Sequence, residues 1–145
     1  VLRPDTFQFL NEALWAPDAS FVLAALAPIE DIYTGGRVEI GEYTSIAHRS
    51  IVHGPCKVGS RVFIGCNSVL FNCTVGDRSV VRHNSVVEGC AIPPGFYVPS
   101  TTNIHSSEEL LTIQQVTPQA ADFSESVARA NHELVRGYKK LQNEF

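Results

Sequence analysis

From residue 40 onward an aliphatic side chain returns every sixth position, at Ile40, Ile46, Val52, Val58 and Ile64. The series runs on through Val69 or Leu70 to Val75, where one step shortens to five. It then passes Val80 or Val81 to Val86, Ile92 and Val98. A period of six is neither the helical period of about 3.6 nor the alternation of a hairpin strand. It marks a hexapeptide β-helix, in which each hexad forms one flat side of a triangular coil and three hexads complete a turn. The recurring aliphatic residue points into the core. Gly41, Gly59, Gly65 and Gly76 follow it directly, as suits a backbone that bends tightly at a corner.

A second column sharpens the expectation. Four residues after each aliphatic position the side chain also turns inward, where space is small, and Thr44, Ser50, Cys56, Val62, Ser68 and Ser79 stand there. Cys56, Cys73 and Cys90 recur at intervals of 17, as do Val58, Val75 and Ile92. These cysteines are therefore expected to stack on successive turns, about 4.8 Å apart. A thiol metal or redox site is one reading of the ladder. The favoured one is a column of small core residues, because free cysteine is among the most buried residue types. No cysteine pair has C-x-x-C spacing, which argues against a zinc ribbon or redox motif.

Residues 40 to 98 supply about three turns, short for a solenoid with open ends. Further turns ahead of Val1 and neighbouring subunits are both expected to cover what is exposed. Pro93, Pro94 and Pro99 are expected to end the repeat, since proline cannot donate to a continuing ladder. Residues 100 to 116 read as a linker with a short helix over Ser107 to Gln114. Thr117-Pro118 then opens a long helix. Along it Phe123, Val127, Ala130, Leu134, Val135, Tyr138 and Leu141 form one apolar stripe, expected to lie against the coil or a neighbour's coil. Gly137 within it suggests close packing. The predicted division is a β-helix domain over 1–104, divergent over 6–35, and a linker with a C-terminal α-helix over 105–145.

The 145 residues are enough for one domain, and 44% apolar with 18% charged is ordinary for a globular protein. A net charge of −4 argues against nucleic acid as a partner. No run of apolar residues is long enough to span a membrane; the longest stretch, Phe21 to Pro28, ends in acidic residues. The chain has no methionine and begins at Val1, as a processed or trimmed polypeptide would. No signal or transit peptide is visible in it.

Among the five histidines, His105 and His132 fall where solvated residues are expected. His48 and His53 fall in the repeat, on adjacent sides of the triangular coil. They are not expected to meet at one metal within a subunit. Spacing alone favours two hydrogen-bonding interface histidines over two zinc ligands reaching different sites across a trimer interface. His83, Cys66 and Trp15 carry no functional reading.

The stretch I-G-E-Y-T-S-I-A-H-R-S-I-V-H-G-P-C-K-V-G, residues 40 to 59, resembles the γ-class carbonic anhydrases, in the branch with archaeal and carboxysomal members. The resemblance continues through F-I-G at 63–65, F-N at 71–72, V-G at 75–76 and I-P-P-G-F-Y-V-P at 92–99. It resumes in A-N-H-E-L-V-R-G-Y at 130–138, so it covers most of residues 36–140. It implies a left-handed parallel β-helix that forms a trimer with zinc at its subunit interfaces. In the family each zinc takes three histidines, two from one subunit and one from its neighbour. By resemblance His53 is a ligand of its own subunit's site and His48 the ligand donated across the interface. Asn131 matches a residue that helps hold bicarbonate, and Arg3 and Asp5 match a structural ion pair at the trimer interface. Three neutral nitrogens leave an open position on zinc, whose water ionises near pH 7 and hydrates carbon dioxide.

The pattern fails ahead of the repeat. The family's first zinc histidine falls at Ala24 or Ala25, and no histidine precedes His48. An acidic family position is Thr6 here, a glutamate is Ala27 or its neighbour, and a glutamine aligns near Asp18. Asp18 is a weak substitute oxygen ligand. Structural zinc sites bind with about 10 kcal/mol or more, so a lost ligand weakens the metal strongly. The resemblance therefore implies a catalytically degenerate, structural subunit of a homotrimer or a heterotrimer. Only a partner subunit could complete a zinc site, using His48. Such relatives belong to larger assemblies such as mitochondrial complex I or the carboxysome, so the implied location is mitochondrial or cytoplasmic and carboxysomal. The alternatives are an active zinc-dependent carbonic anhydrase and a hexapeptide-repeat acyltransferase. The last is disfavoured because P-S-T-T-N-I stands where a G-x-P-A tail is usual.

Overall fold

A computed structural model of the chain describes residues 37–144. Arg3, Asp5, Thr6, Trp15, Asp18, Ala24, Ala25 and Ala27 lie outside the described residues.

The coil is built from β1 (Val38–Ile40), β2 (Ser45–Ile46), β3 (Ile51–Val58), β4 (Phe63–Ile64), β5 (Val69–Val75), β6 (Val80–Val81), β7 (Val86–Glu88), β8 (Ala91–Ile92), β9 (Phe96–Val98) and β10 (Asn103–Ile104). Every pairing among these strands is parallel. The strands make three flat faces of four rungs each. The first face holds β1, the second half of β3, the end of β5, and β8. The second holds β2, β4, β6 and β9. The third holds the first half of β3, the start of β5, β7 and β10. This is the β-helix that the period of six predicts, with four turns rather than three. Pro93, Pro94 and Pro99 do not end it. They are exposed outside the strands, where no ladder N–H is needed, and β10 adds a rung beyond them.

Register decides the ambiguous positions. Val52 pairs with Leu70 and Leu70 with Val87, so Leu70 and Val87 point inward. Val69 and Val86 point outward and are half-buried. Ile64 pairs with Val81, which takes the inward place rather than Val80, although both are buried. Val52, Ile64, Leu70, Val81, Val87 and Val98 are fully enclosed, each contributing about 1.5–3 kcal/mol of hydrophobic stabilisation. Of the second column Cys56 and Val62 are buried and Thr44 half-buried, and the serines Ser50, Ser68 and Ser79, with Ser85 beyond those predicted, are buried. Their hydroxyls donate to the backbone carbonyls of Gly65, Arg82, Pro93 and Pro99.

The glycines act differently from expectation. A Cβ on Gly41 would lie 2.6 Å from the backbone of Gly59 and Ser60, and one on Gly65 the same distance from Arg82 and His83. They permit close approach of successive coils. The left-handed corner conformation falls instead to Tyr43, Arg49, Arg61, Asn67, Asn72, Arg78, Asn84 and Thr101, alongside Gly89 and Gly95. The shortened step is also explained. β3 passes its corner through the cis Gly54-Pro55 bond with one more residue than β5 needs, and the register shifts between His53 and Cys56.

After the coil, the expected short helix is a 3₁₀ turn over Glu109–Thr112. It is followed by β11 (Gln114–Gln115), antiparallel to β9, an element the sequence pattern did not suggest. The long helix α1 (Pro118–Asn143) starts where predicted, with the Thr117 hydroxyl accepting from the Ala120 N–H. Its buried residues are Ser124, Ala128, Asn131 and Val135, so the face toward the coil is mostly small and polar. Of the predicted apolar stripe only Val135 is buried, whereas Phe123, Leu134 and Leu141 are exposed. Gly137 meets nothing within 4 Å of an added Cβ, so within the protomer it marks no close packing.

Candidate functional site

His48 sits in the turn after β2, immediately before Arg49 (φ 59°), and its carbonyl accepts from the Asn67 N–H. Its imidazole makes no hydrogen bond to a described residue. His53 lies in the middle of β3 on the third face, around the corner from His48. Its Nδ1 is 2.8 Å from the Gly54 carbonyl oxygen. A carbonyl only accepts, so Nδ1 carries the proton and the lone pair is on Nε2. A metal-binding histidine commonly holds this arrangement, donating one ring N–H to a backbone carbonyl and ligating through the other nitrogen. The His53 ring packs on Phe71 of the next coil at 5.0 Å between centroids.

Asn131 is buried on α1, and its Nδ2 donates to the Ser45 Oγ at 3.4 Å. The same residue type at an exposed helical position would need no partner; here the amide helps seat the helix on β2. Ser45 precedes His48 by three residues on the same strand and turn. Around this contact, Phe123 stacks edge-on against Phe63 at 5.2 Å and lies under the Arg82 guanidinium at 5.1 Å. The Arg61 Nη1 lies 2.8 Å from both carboxylate oxygens of Glu125, which raises the already high Arg61 pKa. His132, expected to be solvated, is half-buried against the Tyr43 ring at 4.4 Å. His105 is exposed as expected, with Nδ1 3.6 Å from a Glu88 carboxylate oxygen. Spacing gave no sign of these helix–coil pairs, because each joins residues far apart in the chain.

The cysteine ladder forms as predicted. Cys56 pairs in register with Cys73, and their sulfurs are 3.6 Å apart. Both are buried, and Cys90 packs against the same core. The Cys73 thiol is pushed above the ordinary thiol range by its hydrogen bond to Cys56 and by burial. That suits a core position, since reactive cysteines sit in electropositive, partly exposed surroundings.

Beside His53, the third face turns an apolar column outward. Ile51 pairs with Val69 and Val69 with Val86. Ile51 is 45% exposed and Phe71 38%. On the next rung Glu88, exposed and in register with Phe71, brings a charge to this face, 3.6 Å from His105 Nδ1.

Comparison with known proteins agrees with this architecture. A family profile described as bacterial transferase hexapeptide (six repeats) matches residues 37–72. A carbonic anhydrase of Methanosarcina thermophila is 37% identical over 120 residues, covering 78% of this chain and 49% of its own length. The carboxysome assembly protein CcmM of a Nostoc strain is 36% identical over 101 residues, covering 70% of this chain and 18% of its own. Over the matched residues the chain is γ-carbonic-anhydrase-like. It spans about half the length of the archaeal relative and under a fifth of the carboxysomal one. A solved hexapeptide transferase family protein from Anaplasma phagocytophilum is 23% identical, with a TM-score of 0.38 over 70% of this chain and 69% of its own, too distant to bear on function.

For a γ-carbonic-anhydrase-like chain the fit to zinc is partial. His53 has the ring orientation and tautomer of a ligand. Yet among the described residues no three His, Cys, Asp or Glu side chains form a group that could hold a metal ion. His48 lies in the corner turn and His53 on the face beyond it, and neither belongs to a group of three such side chains among the described residues.

Proposed function

We propose that the chain is a structural γ-carbonic-anhydrase-like subunit with an incomplete zinc site of its own, built into a homotrimer or heterotrimer. The observation that supports this most is the outward column of Ile51, Val69 and Val86 beside His53 and Phe71. Apolar side chains in line on a bare sheet face are the surface that a second subunit covers. Alanine at 24 and 25, where by resemblance the family's first zinc histidine falls, supports the degenerate half of the proposal. In a mixed assembly His48 would complete a neighbour's zinc site, and zinc there would ionise a bound water for carbon dioxide hydration. Asn131 would hold bicarbonate only if it exchanged its Ser45 contact. Arg3 and Asp5 would pair at the interface. The larger assembly is of the carboxysomal or mitochondrial complex I kind.

The second reading, an active zinc carbonic anhydrase, draws its support from the His53 tautomer. Light scattering on the purified chain, with stopped-flow carbon dioxide hydration in added zinc, separates the two. A trimer without turnover is expected. A monomer refutes the homotrimer and leaves only a mixed assembly, and hydration above the buffer rate refutes the degenerate site.

A further inference from the structure

Helix α1 has three distinct sides. Ser124, Ala128, Asn131 and Val135 face the coil, and Phe123, Leu134 and Leu141 run down one flank. The opposite flank overhangs the corner that carries Tyr43. Between them lies a cleft of about 240 Å³ lined by Tyr43, Glu125, Ala128, Arg129, His132, Glu133 and Arg136. We propose that this cleft binds a small free oxoanion, such as inorganic phosphate or a simple carboxylate.

Charge is the first argument. Glu125 is neutralised by Arg61 at 2.8 Å. Arg129 and Arg136 form no hydrogen bond or ion pair with any described residue. Against these two guanidinium groups the cleft sets one further carboxylate, Glu133, so it is cationic in a chain of net charge −4. Neither arginine lies in the last turn of α1, where a cation would serve the helix dipole; Lys140 does that. The two arginines are separated by two helical turns, with His132 between them on the same side, so their long side chains can reach one small ligand from both ends. Guanidinium groups match oxoanion geometry with paired N–H donors.

The second argument is Tyr43. Its φ of 56° is the corner conformation that this coil repeats, and it sets the side chain at the edge of the cleft. The next coils place Arg61, Arg78 and Gly95 at this corner. The Tyr43 ring is held between His132, at 4.4 Å, and the Arg61 guanidinium, at 5.0 Å. Its hydroxyl makes no hydrogen bond to a described residue, which leaves a donor at the cleft. Ala128, small and buried, forms the floor and leaves room for the ligand.

Isothermal titration calorimetry with inorganic phosphate, on the chain in its natural oligomeric state, tests the site. Saturable binding at one site per chain is expected. Arg129→Gln with Arg136→Gln should weaken it at least about tenfold, the value of a single charge-assisted hydrogen bond. Lys139→Gln with Lys140→Gln makes the same change in net charge on the same helix and should leave binding unaltered. Circular dichroism melting confirms that both variants fold. No saturable heat with the parent chain, or equal weakening in both double variants, overturns the proposal, the second outcome meaning diffuse attraction rather than a site. The site faces away from the apolar column, so its failure would leave the subunit reading untouched.

Discussion

The second and third faces of the coil have the same inward column and opposite outsides. On the second, α1 covers the strands through Asn131 to Ser45, Arg61 to Glu125, and Phe123 on Phe63. These contacts are polar, ionic and aromatic, specific in position but modest in energy. The third face offers Ile51, Val69 and Val86 in line, and no helix among the described residues covers it. A chain covers its own surface with whatever its helix can place there. An aligned apolar column that the described residues leave exposed is the kind of surface a second chain would cover.

The sharpest way to break this contrast is Val69→Asp. A carboxylate buried without a partner in an interface costs roughly 3–5 kcal/mol. Sedimentation should show dissociation, while the melting temperature of the separated protomer stays near that of the parent because Val69 is only half-buried. Unchanged assembly would mean the third face is not the interface. On the covered face, Ala128→Leu overfills the seam between α1 and the coil, and a loss of about 1–3 kcal/mol in urea unfolding is expected. Thr117→Ala removes the helix cap, and a loss of about 1 kcal/mol is expected by the same measurement.

The smallest effect is a pH dependence. Burial, with a lesser contribution from Arg82, holds the His83 pKa below its usual value of 6.5. The unfolded chain therefore binds the proton more readily. The stabilising contribution of neutral His83 is full above about 6.5 and declines as pH falls through the folded value. His83 accepts the Cys66 N–H at Nδ1, which protonation would abolish. Urea midpoints measured downward from pH 7 should fall less steeply in His83→Gln than in the parent.

The coil was legible in the sequence because its signal is repeated. Twelve strand segments share one inward pattern, and an error at one position is corrected by its neighbours. The misassignment of Val86 shows the limit: two adjacent valines look alike in a period, and only the pairing of Leu70 with Val87 separates them. The glycines were located correctly but their cause was not. Corner conformation and clearance between coils favour glycine equally, and only the position of the next backbone distinguishes them. The helix was misread more deeply. Its apolar stripe was taken for the buried face, yet Ser124, Ala128 and Asn131 lie inward. Hydrophobic periodicity finds an apolar side and not what covers it: Val135 is buried and Phe123 packs on Phe63, while Leu134 and Leu141 stay exposed. The hexads put His48 and His53 on adjacent sides, whereas His48 lies in the corner turn beside the face of His53; the hydrogen bond that sets the His53 tautomer depends on the Gly54 carbonyl and leaves no trace in spacing.

The central claim is that this chain has kept the fold and cannot complete its own zinc site. The direct measurement is elemental analysis of the chain purified alone, after dialysis against zinc and then against metal-free buffer. The account predicts zinc far below one ion per subunit, unchanged in His53→Ala. Near-stoichiometric zinc that disappears in His53→Ala would contradict it and make the chain a complete anhydrase.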